Sequence, residues 1–299
     1  MTPAAAPDPD RPLEVPLVAG VLALVGAFLT LVSMFLDYYD AGIPAREIPA
    51  ERWFFLVFVV TTIGAGVLLV AQRRTQVIGA ATLGALAVTF VGFRGLQIHN
   101  VTRAGDPSPA GPGFWLDLMG FLLVVVAAVF AAIGVTALDV TLRRLVTGRD
   151  RTRLALVGGV IGFVLAFGYG LNTVRTNGDP AAGTSDVAAG TPLVPAARSF
   201  WTQLIVMLAL VALPPLIALT SRRIAIGFSA GLVGFVLAET LRRLLTSFGV
   251  DAPRDAIEGT WVFLVGGVAL VAVLAYRLVT VPDEVRRKAE TRTESTRAA

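Results

Sequence analysis

The chain predicts an all-α polytopic membrane protein, with eight transmembrane helices arranged as two parallel-oriented four-helix repeats. Three observations carry that expectation. The 299 residues are 55% hydrophobic and 15% charged, with a mean hydropathy of +0.75, whereas soluble domains average about 25% charged. Several separate runs reach the roughly 18–20 apolar residues that cross a bilayer as a helix. The landmarks at their edges recur. Trp53 and Trp201 are 148 residues apart and Trp115 and Trp261 are 146 apart; Arg73-Arg74 and Arg222-Arg223 are 149 apart, as are Arg94 and Arg243. One membrane module written twice explains that spacing.

Residues 1–14 are polar and Pro-rich, a disordered lead. The apolar run at 15–36 is long for a signal-peptide core and lacks a strongly basic start, so it reads as a retained span. Seven more spans follow, at 53–71, 75–93, 114–138, 153–171, 200–220, 223–243 and 261–281. The organisation is then a first module over 15–138, a basic linker at 139–152, a second module over 153–281 and a tail at 282–299 carrying both charge signs. Four spans is an even number, so both copies enter the membrane in the same sense. Their expected symmetry is an approximate two-fold along the membrane normal.

Arginine and lysine set the orientation. With the N-terminus inside, sixteen basic residues lie on the inner side and nine on the outer. Two of the inner connections are tight double-arginine turns, while the outer connections are longer and rich in Gly, Pro and Asp. The expectation is a bacterial inner-membrane protein with both termini cytoplasmic. High arginine usage, with twenty-four Arg against one Lys, fits a high-GC bacterial genome.

All four tryptophans then fall where the even-numbered helices begin, on the outer side. An indole there sets its ring among headgroups and its N–H towards water, so Trp53, Trp115, Trp201 and Trp261 read as interface anchors. The charges near the outer helix ends are the candidate site. Asp37, Arg94 and Asp117 are placed to converge at the mouth of the first module. In the second, Glu239 sits inside a span with Arg242 and Arg243 at i+3 and i+4, on one helix face. An ionisable group in a span is a functional candidate, since burying it unpaired costs several kcal/mol. The blander alternative is an interfacial salt bridge with snorkelling arginines that locks helix ends. Pro214-Pro215 removes two backbone donors and is expected to kink or break the sixth span. Gly158-x-x-x-Gly162 and Gly227-x-x-x-Gly231 mark close helix approach.

The absences are as informative. Cysteine is missing altogether, which excludes disulfides, thiolate metal sites and cysteine nucleophiles. A single histidine, His99, reads as an exposed loop residue and makes a multi-histidine metal or haem site impossible within one chain. No P-loop or HExxH stands in the chain. No catalytic, cofactor or metal residue is therefore assigned, and the small net charge of +4 belongs to topology rather than to nucleic acid.

The first half resembles an actinobacterial type of four-span membrane module. The resemblance rests on Ser33-Met34-Phe35-Leu36-Asp37-Tyr38-Tyr39 ending the first helix, Arg94 ending the third and Gly113-Phe114-Trp115 opening the fourth. The second half keeps Arg243 and Gly259-Thr260-Trp261. Such modules usually carry Pro-Trp where this chain has Asp37-Tyr38, and the resemblance implies a lineage and a fold but no active site. The functional expectation is a non-enzymatic structural or assembly component, without cofactor, whose partners are the lipid bilayer and a membrane protein or a second copy of itself. The alternative is a transporter of a small molecule, ion or lipid, with its path between the two modules.

Overall fold

Eight helices are long and apolar enough to cross a membrane, and the protein is an all-α multi-pass membrane protein. They are α1 (Glu14–Ser33), α2 (Pro49–Ala71), α3 (Arg73–Thr102), α4 (Pro112–Thr136), α5 (Arg149–Gly170), α6 (Phe200–Leu219), α7 (Arg222–Ser247) and α8 (Glu258–Thr280). The computed structural model describes residues 13–38, 45–47, 49–102, 110–136, 149–171, 174–176, 187–189, 200–247, 254–256 and 258–280. Most of the expected disordered lead, most of the basic linker and the whole tail lie outside those residues. The linker is shorter than its sequence suggests, because Arg149 already opens α5.

Helices α2 and α4 each begin on a proline, Pro49 and Pro112, where the missing N–H is one the helix leaves unpaired in any case. Hydropathy alone gives these helices no inner face, since they are apolar all round. Size does. The buried residues of α1 are Pro16, Ala19, Gly20, Ala23, Gly26, Ala27, Thr30 and Ser33. The bulky Val18, Val21, Val25 and Phe28 point out. In lipid no hydrophobic drive pulls helices together, so small residues on the facing side and close van der Waals packing take its place. The outward Leu156, Val160 and Phe163 of α5 and Val265 and Val268 of α8 repeat the arrangement. Such broad exposed apolar faces suit hydrocarbon and not water.

Within the first half, α1 packs on α4 and α2, and α3 on α2 and α4. Each contact has its counterpart in the second half: α5 with α8 and α6, α7 with α6 and α8. The halves meet through α3 against α7, flanked by α2 against α7 and α3 against α6. Helices α3 and α7 run in the same direction there. Gly227 lies against Ile78 and Ala81, and one turn on Gly231 lies against Thr82 and Ala85. A Cβ on Gly231 would stand 2.6 Å from the Ala85 Cβ and 2.7 Å from the Thr82 carbonyl oxygen, so only glycine admits this approach. The Thr82 hydroxyl donates to the Gly227 carbonyl at 3.1 Å, and Phe90 meets Phe235 edge-on at 5.4 Å. These contacts bring α3 and α7 close together along the seam between the halves.

Three sequence expectations are corrected. The sixth helix does not break: α6 is continuous through Pro214 and Pro215. Those prolines leave the Leu210 and Val211 carbonyls without their i+4 donors. Both carbonyls face Gly162 of α5; a Cβ there would lie 2.5 Å from the Leu210 oxygen and 3.1 Å from the Val211 oxygen. Gly158 sits against Pro214, where a Cβ would lie 3.0 Å from the carbonyl carbon. The glycines of α5 thus let a helix bearing freed carbonyls lie flush against them. The second correction is length. Helix α3 continues nine residues past Phe93 to Thr102, which places Arg94 inside the helix and His99 on its last turns instead of in a loop. Third, two of the longer connections, read from sequence only as rich in Gly, Pro and Asp, carry short strands. Strands β1 (Val174–Thr176), β2 (Val187–Ala189) and β3 (Arg254–Ala256) form an antiparallel sheet in the order β2-β1-β3. It joins the α5–α6 connection to the α7–α8 connection.

The two double-arginine turns are tight, as expected, but are finished differently. After α2 the Thr75 hydroxyl donates to the Leu68 carbonyl at 2.7 Å and the Gln76 amide to the Leu69 carbonyl at 3.0 Å. After α6 the Thr220 carbonyl accepts from Arg151 at 3.4 Å and from Arg277 at 3.3 Å. Cations at a helix C-terminus offset its partial negative charge.

Candidate functional site

At the end of the bundle where the even-numbered helices start, four tryptophans point outward, between 44% and 70% exposed. The charges beside them do the opposite. Arg94, Asp117, Glu239 and Arg243 are all buried, at no more than 3% exposure. Snorkelling is therefore not how these arginines are accommodated.

In the first half, chain geometry after α1 builds the site. The Asp37 and Tyr38 carbonyls accept from the Gly113 and Gly111 amides at 2.9 and 3.1 Å. That short pairing pins the segment against the start of α4. Gly113 can lie there because a Cβ would meet the Leu36 and Ser33 carbonyl oxygens at 2.9 Å. The result turns the Tyr38 hydroxyl onto the Asp117 carboxylate, to which it donates at 2.8 Å. Burial raises the Tyr38 phenol well above its ordinary value, and the neighbouring Asp117 charge adds to the effect. It remains a donor. Arg94 bonds the same Asp117 Oδ2 through Nη1 and also donates to Gln97 Oε1 at 2.9 Å. The rings of Phe55, Phe58, Phe93 and Phe121 surround its guanidinium with centres 5.1–5.5 Å from Cζ. The Thr30 hydroxyl is set beside Asp117.

Asp37 does not join this cluster. Its side chain is exposed and only its backbone takes part. The expected Asp-Arg-Asp triad is replaced by Tyr38–Asp117–Arg94, because the backbone pairing of Asp37 and Tyr38 with Gly113 and Gly111 leaves the Asp37 side chain exposed and Tyr38 buried.

The second half keeps the arginine and moves the acid. Glu239 Oε1 accepts from Arg243 Nε and from Arg242 Nη2, each at 2.7 Å, while Oε2 accepts from Arg242 Nε at 2.8 Å. The pairing along one helix face is the expected one. Arg243 then spends its remaining nitrogens on three carbonyls: Gly168 at 3.0 Å, Gly259 at 3.2 Å and Tyr169 at 3.2 Å. Phe263 and Tyr169 cover it at 4.6 and 5.3 Å. The Tyr169 hydroxyl donates to Gln203 Oε1, and Gln203 Nε2 donates at 2.9 Å to the Gly92 carbonyl of the other half.

Sequence inspection missed Glu51, in the first turn of α2. It lies within electrostatic reach of Arg242 on one side and of Asp117 and Arg94 on the other. Its only sequence signal was a carboxylate two residues before an anchoring tryptophan, which looks like an ordinary helix-start acid. With it the group comprises three arginines (Arg94, Arg242, Arg243) and three acids (Glu51, Asp117, Glu239), a formal charge of zero. Balanced charge is what a water-poor interior tolerates. No group of three metal-ligating side chains occurs among the described residues. No family model, no curated protein and no solved structure matches the chain.

Proposed function

We propose that this multi-pass membrane protein is a non-enzymatic structural or assembly component of a bacterial inner membrane, built from two copies of one four-helix module. The single observation that carries the reading is the close contact along the seam. Along α3 and α7 the halves meet by glycine contacts, with a Cβ on Gly231 reaching 2.6 Å from Ala85, and the Thr82 hydroxyl is bonded across that contact. A solute path between the modules, the transporter alternative, requires this seam to open. The ion pairs Arg94–Asp117 and Arg242–Glu239–Arg243 at the tryptophan end support the same view, because the first ties α3 to α4 and the carbonyl bonds of Arg243 tie α7 to α5 and α8. Residues 149 apart, Ile78 and Gly227, face one another across the seam as a two-fold relation between copies requires.

The test has two arms. Protein purified gently from its native membrane should retain a membrane-protein partner or a second copy in fixed stoichiometry. The same protein reconstituted alone should move no ion, amphiphile or metabolite above empty vesicles. Flux through the reconstituted protein that Gly231→Val abolishes would overturn the structural reading in favour of the transporter.

A further inference from the structure

Nine buried side-chain nitrogen and oxygen atoms among the described residues have no hydrogen-bond partner, and six of them belong to one place. They are Arg94 Nε and Nη2, Gln97 Nε2, Asp117 Oδ1, Thr30 Oγ1 and Glu51 Oε2. All four helices of the first half contribute: α1 Thr30, α2 Glu51, α3 Arg94 and Gln97, α4 Asp117. A buried polar atom left unpaired costs about 1–3 kcal/mol, more when charged, so native proteins rarely keep several together. The concentration calls for an occupant.

The second half shows that the fold does not force it. Arg243 stands at the matching position of α7, is as buried as Arg94, and has all three nitrogens bonded. Gln203 beside it uses both ends of its amide. The cover also differs. Two rings cover Arg243, Phe263 at 4.6 Å and Tyr169 at 5.3 Å, while four surround Arg94 at 5.1–5.5 Å. Ring faces are weak acceptors for N–H and do not replace a full hydrogen bond.

The chemistry of the unpaired atoms selects the ligand. Arg94 and Gln97 supply donors at those atoms, Asp117 and Glu51 supply acceptors when ionised, and Thr30 supplies either. An anion would meet two carboxylates, and a cation would meet a guanidinium. The charge group is already neutral, so no ion is needed to balance it. A small uncharged molecule that both donates and accepts fits, and the smallest is water, which takes two to four polar partners when buried. We propose that the Arg94–Gln97–Asp117–Thr30 site of the first half is a specific buried-water site, opening towards Glu51, and that the Arg243 site of the second half is dry. This does not depend on whether the protein is structural or a transporter.

The experiment is X-ray radiolytic footprinting of the full chain in lipid nanodiscs, in ordinary water and after rapid dilution into oxygen-18 water. Hydroxyl radicals born from a bound water label the side chains beside it even when bulk solvent is excluded. Phe58 and Phe121, next to Arg94, should be oxidised at least about tenfold faster than the equally buried Phe263, next to Arg243, with oxygen-18 incorporated once the site exchanges. Arg94→Met with Asp117→Leu should abolish the excess at Phe58 and Phe121 and leave Phe263 unchanged. Should that double variant fail to fold, the wild-type comparison decides by itself. Equal labelling at both sites, fast or slow, overturns the proposal: fast means general solvent entry, slow means the first site is as dry as the second.

Discussion

Phe263 covers Arg243 from the helix position that carries Asp117 in the other half. Each stands two residues after its tryptophan, Trp261 or Trp115. The exchange is reciprocal, because Glu239 and Phe90 each stand four residues before their arginine, Arg243 or Arg94. One half takes its carboxylate from the neighbouring helix and a phenylalanine from its own; the other does the reverse. The buried arginine is common to both, and its counter-charge stands on a different helix in each.

The pair energies follow from that arrangement. Asp117→Ala strands Arg94 beneath its phenylalanine rings and should destabilise the protein by about 3–5 kcal/mol, the usual cost of breaking a buried ion pair from one side. Arg94→Met combined with Asp117→Leu should cost clearly less than Asp117→Ala alone, since it removes both charges and keeps volume. Denaturant unfolding in mild detergent, followed by tryptophan fluorescence, measures both. A double variant as unstable as the sum of the singles would mean the two side chains do not act as a pair.

The seam between the halves should be as strong as its glycines are close. Valine at Gly231 forces Ala85 and the α3 backbone away and should cost about 1–3 kcal/mol or more, as overpacking does. A protease site placed within residues 139–148 converts the question into one of association. After cleavage the wild-type halves should co-elute on gel filtration, and the Gly231→Val halves should separate. Co-elution of both would show that α3 and α7 do not set the contact.

At the other end of the second half, α5 and α6 make opposite demands. Gly162→Ala places a methyl 2.5 Å from the Leu210 carbonyl oxygen and should lower stability by about 1–3 kcal/mol. Pro214→Ala restores a backbone donor inside a helix that is already continuous and should be neutral or stabilising. Thermal unfolding in nanodiscs distinguishes them. If Pro214→Ala proved the more damaging, the bend it imposes would matter more than the glycine contact.

Orientation has a direct assay because the chain has no cysteine. Single cysteines replacing Ser108, Ser185 and Ser295 can be challenged on intact cells with an impermeant thiol reagent. Ser108→Cys and Ser185→Cys should react and Ser295→Cys should not. The inverse pattern would put both termini outside.

Much of this was legible without coordinates, and the limits have physical causes. The existence of eight spans follows from apolar run length, because a helix must cross about 30 Å of hydrocarbon. The recurrence of Trp53, Trp115, Trp201 and Trp261 marked corresponding helix starts, and Glu239 with Arg242 and Arg243 was readable because that pairing is local, set by helical spacing alone. Whether Asp37 or Tyr38 reached Asp117 was not readable: it depends on backbone pairing with Gly111 and Gly113, residues more than seventy positions away. Nor was the continuity of α6, since two prolines normally argue for a break and only the glycine face of α5 accepts the freed carbonyls.

The sequence by itself thus determined the span count and the recurring arginine of each half, since run length and residue spacing are properties of the chain. Only the tertiary structure decided which carboxylate meets which arginine, that Glu51 lies within electrostatic reach of both clusters, and that Arg94 keeps unpaired donors where Arg243 keeps none. Those outcomes depend on how four helices converge at one end, and a hydrogen bond is satisfied or left open by distances of a few tenths of an ångström that no periodicity encodes.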